Sequence, residues 1–239
     1  YRRQRQMCIR DRQSTSTNNA GENKPVAAEV GLGSRVAAIT STFTQGNLTH
    51  VENPFSVALE GDGFFQIRTQ SGELQYTRDG SFEISPVANG NMLCTSDGNP
   101  VLDANGNQII LPSNRVATDL VVNQDGTLAF PDGTGNPAVI TDANGRPVKF
   151  GIYQFNNPAG LSKEGSNNYS VTVASGAAVA ENGNAAVKQT KTHQYYTEAS
   201  NVDVANEMVN LIVAQRAYEM NSKAIQASDE MMQQANALR

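Results

Sequence analysis

SNVDVANEMVNLIVAQRAYEMNSKAIQASDEMMQQANALR, residues 200–239, decides the architecture. From Val204 to Leu238 it holds neither Gly nor Pro, the residues most costly inside a helix. At roughly 1.5 Å per residue the stretch makes a helix on the order of 50–55 Å long. Ser200-Asn201-Val202-Asp203 has capping-box spacing, with a shorter acid than the usual Glu. In the first half, Met208, Val209, Leu211, Ile212 and Val213 cover almost the whole circumference, which requires burial on every side. In the second half, Ala217, Tyr218, Met220, Ala224, Ile225, Ala227, Met231, Met232 and Ala235 share a broad face. Arg216, Glu219, Lys223, Gln226, Glu230 and Gln234 occupy the other. No other segment reads as a partner helix. The apolar surface is therefore expected to pack against other chains or a missing segment. Folding back on its own domain is the plainer alternative, but so long a helix would overhang it.

Upstream the period changes to two. Residues 53–175 read as an antiparallel β domain. Candidate strands run through Phe55–Leu59, Phe64–Ile67, Phe82–Ile84, Ile109–Leu111, Leu120–Val122, Val148–Phe155 and Tyr169–Val173. Asp-Gly pairs start at 62, 79, 97, 125 and 132, and Asn-Gly pairs at 89, 105, 144 and 182. These dipeptides favour the positive-φ turns of tight hairpins. Residues 13–52 read as an extended linker stretch, 176–199 as a connecting loop and 200–239 as the assembly helix. The fold expected is mainly β, a compact antiparallel domain with an extended N-terminal segment and a long C-terminal α-helix.

The whole chain carries 18 basic and 23 acidic residues. Residues 1–12 (YRRQRQMCIRDR) hold five Arg and one Asp, so the remainder has 13 against 22, a balance of −9. An acidic chain offers no footprint for nucleic acid or anionic membrane. The basic segment reads either as a polyanion-binding arm or as a piece foreign to the fold, and its lack of apolar periodicity favours the second. No run of eighteen apolar residues is present, so no membrane insertion is expected. No apolar core follows the basic start, so no cleaved signal peptide is expected.

The chemical constellations are sparse. His50 and His193 each stand alone, and neither they nor Cys8 and Cys94 fall in metal-ligand spacing. Cys94 reads as a small buried residue. Asp103-Ala104-Asn105-Gly106-Asn107 and Asp142-Ala143-Asn144-Gly145 resemble the start of a calcium loop. The twelfth positions, however, are Asn114 and Tyr153, where a bidentate Glu is needed. Gly31-Leu32-Gly33-Ser34-Arg35-Val36 lacks the last Gly of a dinucleotide loop. Asp62 and Asp79 precede Gly and read as turn residues rather than as a catalytic pair. No enzyme activity, metal or cofactor is expected.

Particular stretches resemble the axial proteins of the bacterial flagellum, the rod and hook family. Thr44-Gln45-Gly46-Asn47-Leu48, Asn53-Pro54-Phe55 through Phe64-Phe65-Gln66, and Tyr76-Thr77-Arg78-Asp79-Gly80-Ser81-Phe82 are similar to its β domain. Glu198-Ala199-Ser200-Asn201-Val202-Asp203-Val204, Glu207-Met208-Val209-Asn210 and the run Ala214–Ile225 resemble its C-terminal end, most of all in the distal rod branch. The resemblance covers about 35–175 and 198–239. Two departures stand out. The family's N-terminal helix, the usual partner of the C-terminal one, is absent. The usual Gly before the Ser-Asn-Val motif is replaced within His193-Gln194-Tyr195-Tyr196.

The resemblance implies a subunit exported unfolded through the flagellar channel and polymerised head to tail into a hollow helical tube. For the distal rod it implies a rigid drive shaft in the periplasm that passes torque from motor to hook. Its expected partners are further copies of itself, other rod and hook proteins, the P- and L-ring proteins and the export apparatus. The proximal rod or hook protein is the alternative within the family. A soluble carbohydrate- or ligand-binding β module is the alternative outside it, and that needs a cleft of clustered aromatics. The expected assembly interface is Val204, Met208, Leu211, Ile212, Gln215, Arg216, Tyr218, Met220, Ile225, Met231, Met232 and Leu238. Residues 30–50 resemble the stretch that adds inter-subunit contact in the distal rod branch. Deleting 30–47 is expected to turn a stiff polymer into a bendable one, measured as persistence length in negative-stain micrographs; an unchanged stiff rod would count against it.

Overall fold

Alternating apolar residues and frequent Gly turns produce the fold seen in a computed structural model. The structure describes residues 12–14, 29–31, 41–88, 90–113, 115–132, 137–142, 145–184 and 187–237. Residues 1–11, Gly33 to Val36 of the dinucleotide-like run, Asn114, Asn144 and Leu238 lie outside the described residues, as does Cys8. The chain divides into two compact units, 1–198 and 199–239.

The first unit is built from antiparallel pairs. Its largest sheet has six strands in the order Ser162–Gly165, Asn168–Ser170, Leu74–Thr77, Phe64–Arg68, Ile152–Gln154 and Val179–Ala180. Phe82–Val87, Gly90–Thr95 and Ile110–Leu111 form a three-stranded sheet. Val121–Val122, Leu128–Pro131 and Pro137–Val139 form another. Two further pairings join distant parts of the chain: Val57–Glu60 with Lys191–Gln194, and Leu48–His50 with Tyr196–Glu198. The segment expected as a loop, 176–199, thus supplies three strands. Its Ala, Gly and Asn content hid them, because polar edge strands of two to four residues carry little periodicity.

Phe64 and Phe65 show how a period of two serves two cores. Phe65 enters the main core with Val57, Leu59, Ile67, Phe82, Leu93, Leu128 and Phe150. Its neighbour Phe64 turns the other way, into a cluster with Tyr76, Phe155 and Leu161. Phe43 closes that second cluster, edge-on to Phe64 at 5.5 Å and to Tyr169 at 5.3 Å. The C-terminal part of the N-terminal stretch is therefore packed on the β unit.

The Asp-Gly and Asn-Gly pairs serve two different purposes. Gly98, Gly106, Gly126, Gly145 and Gly183 have φ between 75° and 82°, as hairpin turns require. Gly80 does not. A Cβ there would stand 1.8 Å from the Val57 carbonyl, so close backbone approach sets the requirement. Asp103, Asp79 and Asp142 are turn residues. Asp103 Oδ1 accepts from the amides of Asn105 and Asn107 at 2.8 and 2.7 Å. Asp79 Oδ1 accepts from Ser81 N, and Asp142 Oδ1 from Arg146 N.

The stretch 193–196 contains an unusual backbone position. Tyr195 has φ 64°, a conformation that favours Gly. It sits between the two distant pairings, donating its N–H to Ser56 O and accepting from Val51 N. Its ring stacks on His50 at 6.3 Å. Tyr195 thus forms a strained joint, braced on both sides by hydrogen bonds.

These two positions give contrasting expectations in thermal or urea unfolding. Gly80→Ala is expected to cost about 1–3 kcal/mol, because backbone must shift to admit the methyl group. At position 195, Ala is expected to be about 1 kcal/mol less stable than Gly, because only Gly relieves the left-handed strain.

Candidate assembly surface

The second unit carries a single α-helix, Val204–Ala237, 34 residues long. Its start differs from the capping box expected at Ser200. Asp203 is the cap: its Oδ1 accepts from Ala205 N at 3.0 Å and its Oδ2 from Asn206 Nδ2 at 2.7 Å. Ser200 Oγ instead accepts from Val202 N at 3.3 Å. Both residues are good caps, and the local spacing does not rank them. The Asp203 carboxylate also complements the positive end of the helix dipole.

No described helix residue is buried. Val204, Met208, Leu211, Ile212, Met220, Ile225, Met231 and Met232 are each 50–65% exposed, and Tyr218 reaches 78%. Gln215 and Arg216 are exposed as well, while Leu238 lies outside the described residues. Helical geometry sorts the expected interface residues into two groups. Val204, Leu211, Tyr218, Ile225 and Met232 recur at seven-residue spacing and form one seam, with Met208 and Gln215 beside it. Val213, Met220 and Met231 lie well round the helix from that seam, with Val209 added to them, so the broad face read for the second half divides into two sides. The heptad seam was readable in the sequence but was masked by apolar residues all around the first half. A strict seven-residue repeat favours left-handed coiling with a partner helix. Arg216 falls on the polar strip with Glu219, Lys223 and Glu230, so it fits the rim of an interface better than its centre.

Among the described residues, no group of three or more His, Cys, Asp or Glu side chains could hold a metal ion. Among the described residues, no helix is long and apolar enough to cross a membrane. Cys94 is buried, and burial, then the Glu83 carboxylate, push its thiol up, which leaves it protonated and unreactive at neutral pH. A groove of about 280 Å³ is lined by Asp125, Lys149, Glu181, Thr190 and Lys191. Its carboxylates are already engaged. Lys149 pairs with Asp125 at 3.2 Å, and Glu181 accepts from Thr190 N, Thr190 Oγ1 and Gln154 Nε2. The aromatic residues Phe64, Tyr76 and Phe155 cluster in the core rather than around this groove.

Comparison with known proteins agrees on one family. Residues 193–238 match the C-terminal domain of the flagellar basal body rod FlgEFG proteins, and residues 58–130 match the D1 domain of flagellar hook proteins FlgE/F/G. The flagellar basal-body rod protein FlgG of Borreliella burgdorferi is 38% identical over 220 residues, 90% of this chain and 76% of that one. FlgG of Buchnera aphidicola from Acyrthosiphon pisum is 36% identical, over 93% of this chain and 80% of that one. FlgG of Agrobacterium fabrum is 38% identical, over 87% and 73%.

The cap gives a test of the helix by itself. Asp203→Ala is expected to cost the helix about 1 kcal/mol, read as lower ellipticity at 222 nm with an unchanged β signal; equal ellipticity would remove Asp203 from that role.

Proposed function

The chain belongs to the flagellar basal-body rod and hook protein family, and from that premise we propose that it is a structural subunit of the distal rod. The single observation that carries this is a 34-residue helix with apolar residues around it and none of them buried, in a chain 38% identical to a basal-body rod protein. A helix that exposes so much apolar surface gains its stability from packing. Fully burying one large apolar side chain contributes roughly 1.5–3 kcal/mol, so a few positions per subunit suffice to drive association. The interface is Val204, Met208, Leu211, Ile212, Tyr218, Ile225 and Met232, with Met220 and Met231 on a second side. Gln215, Arg216 and Leu238 complete it. A helix used on two sides joins more than one neighbour, which suits a closed tube wall better than a dimer.

Rigidity follows from dense packing, since well-packed interiors compress little and transmit strain. The polymer passes torque as a drive shaft in the periplasm. Its partners are other rod and hook proteins, the P and L rings and the export apparatus that delivers the unfolded chain. The stretch 30–50 contributes stiffness. Phe43 and Gln45 are bound within the β unit, so a deletion of 30–40 tests inter-subunit contact more cleanly than one of 30–47.

Leu211→Glu tests the polymer. A carboxylate forced into an apolar interface costs several kcal/mol unless it is paired. The purified variant is expected to stay monomeric in sedimentation at concentrations where the wild type polymerises, with the β unit melting unchanged. In cells it is expected to abolish hook assembly and swimming. Polymers of normal length from Leu211→Glu would overturn the interface.

A further inference from the structure

Three stretches far apart in sequence meet at one guanidinium, that of Arg78. Its Nε and Nη2 donate to the two carboxylate oxygens of Glu198 at 2.9 and 3.2 Å. Nη1 donates to the carbonyls of Gly61 and Gly63 at 2.8 and 3.5 Å, and Nη2 also reaches Gln45 Oε1 at 3.1 Å. These contacts engage all five N–H donors of the side chain. The partners are bound in turn. Glu198 Oε1 accepts from Gly46 N at 2.8 Å. Gln45 Oε1 accepts from Gly61 N at 3.0 Å, and its Nε2 donates to Leu59 O at 2.9 Å. The Arg78 and Glu198 side chains are only 13% and 15% exposed. The guanidinium also lies over the Phe64 ring, 5.8 Å from its centroid.

We infer that Arg78 is a positioning residue, a latch that holds the incoming stretch 44–48 and the outgoing strand Tyr196–Glu198 on the β unit, so that neither detaches without the other. The ladder between the two segments has only three residue pairs, Leu48 with Glu198, Thr49 with Thr197 and His50 with Tyr196. An isolated two-stranded pairing of that size is marginal in water. The bidentate, largely buried ion pair supplies what the ladder lacks, and removing either partner leaves the other charge unpaired. A pull on the chain beyond Glu198 then falls on the Arg78 fork and spreads to Gly61, Gly63 and Gln45. Without the fork it would open the ladder one pair at a time. The latch belongs to the single subunit and stands whether or not the polymer forms.

Hydrogen exchange read by mass spectrometry on the full chain tests it. Glu198→Gln is expected to speed exchange about tenfold or more in peptides covering 44–51 and 193–199 together, with peptides covering Phe65, Leu93 and Leu128 unchanged. Arg78→Lys keeps the charge but loses the fork, and is expected to behave the same way. Gln45→Ala removes bonds to Leu59, Gly61 and Arg78 and none to 193–199, yet it too is expected to loosen 193–199. Loosening confined to the mutated side would overturn the latch, as would unchanged protection. Loss of protection throughout the β unit in Glu198→Gln would also overturn it, because the contact would then be part of the core.

Discussion

The β unit depends on the pairing of the strand pieces by which the chain enters it with those by which it leaves. Leu48–His50 pairs with Tyr196–Glu198, and Val57–Glu60 with Lys191–Gln194. Closing a loop of this size is entropically costly, though the cost grows only slowly with length. The compensation is local and specific. Val57 and Leu59 are fully buried in the main core. Gln194 donates to Pro54 O and Leu120 O and accepts from Val122 N. Tyr195 tolerates a left-handed backbone to join the two ladders, and the Arg78–Glu198 pair fastens the outer one.

The two units divide the physical tasks. The β unit buries a large apolar core in two clusters, while Leu74, Val116 and Val173 among others stay exposed, and it satisfies its turns with Asp and Gly. The helix hides none of its own. On the reading proposed above, the surface that association removes from water is the surface that the helix leaves exposed. In the proposed polymer, the heptad seam from Val204 to Met232 gives that association a geometry, and the apolar residues further round the helix give it a second direction.

How much could be read in advance depended on the range of the signal. A run from Val204 to Leu238 without Gly or Pro made the helix plain. Its cap was misplaced by three residues, because Ser200 and Asp203 are both competent and only their hydrogen bonds choose. The hairpins of the β unit followed from Asp-Gly and Asn-Gly pairs. The strands within 176–199 did not, since Lys191–Gln194 and Tyr196–Glu198 are strands only by virtue of partners more than a hundred residues away.

The sequence by itself determined the class of fold, the long helix, the family and the absence of a spaced metal or nucleophile motif. Each of these rests on local patterns or on residues close together in the chain. Only the tertiary structure decided the rest: that Gly80 is needed for close approach rather than for a turn, that Tyr195 holds a strained joint, and that Arg78 gathers Gln45, Gly61 and Glu198. The Arg78 contacts alone join residues 15 to 120 positions apart. No local period encodes them, because they exist only once the sheets have brought those residues within hydrogen-bonding distance.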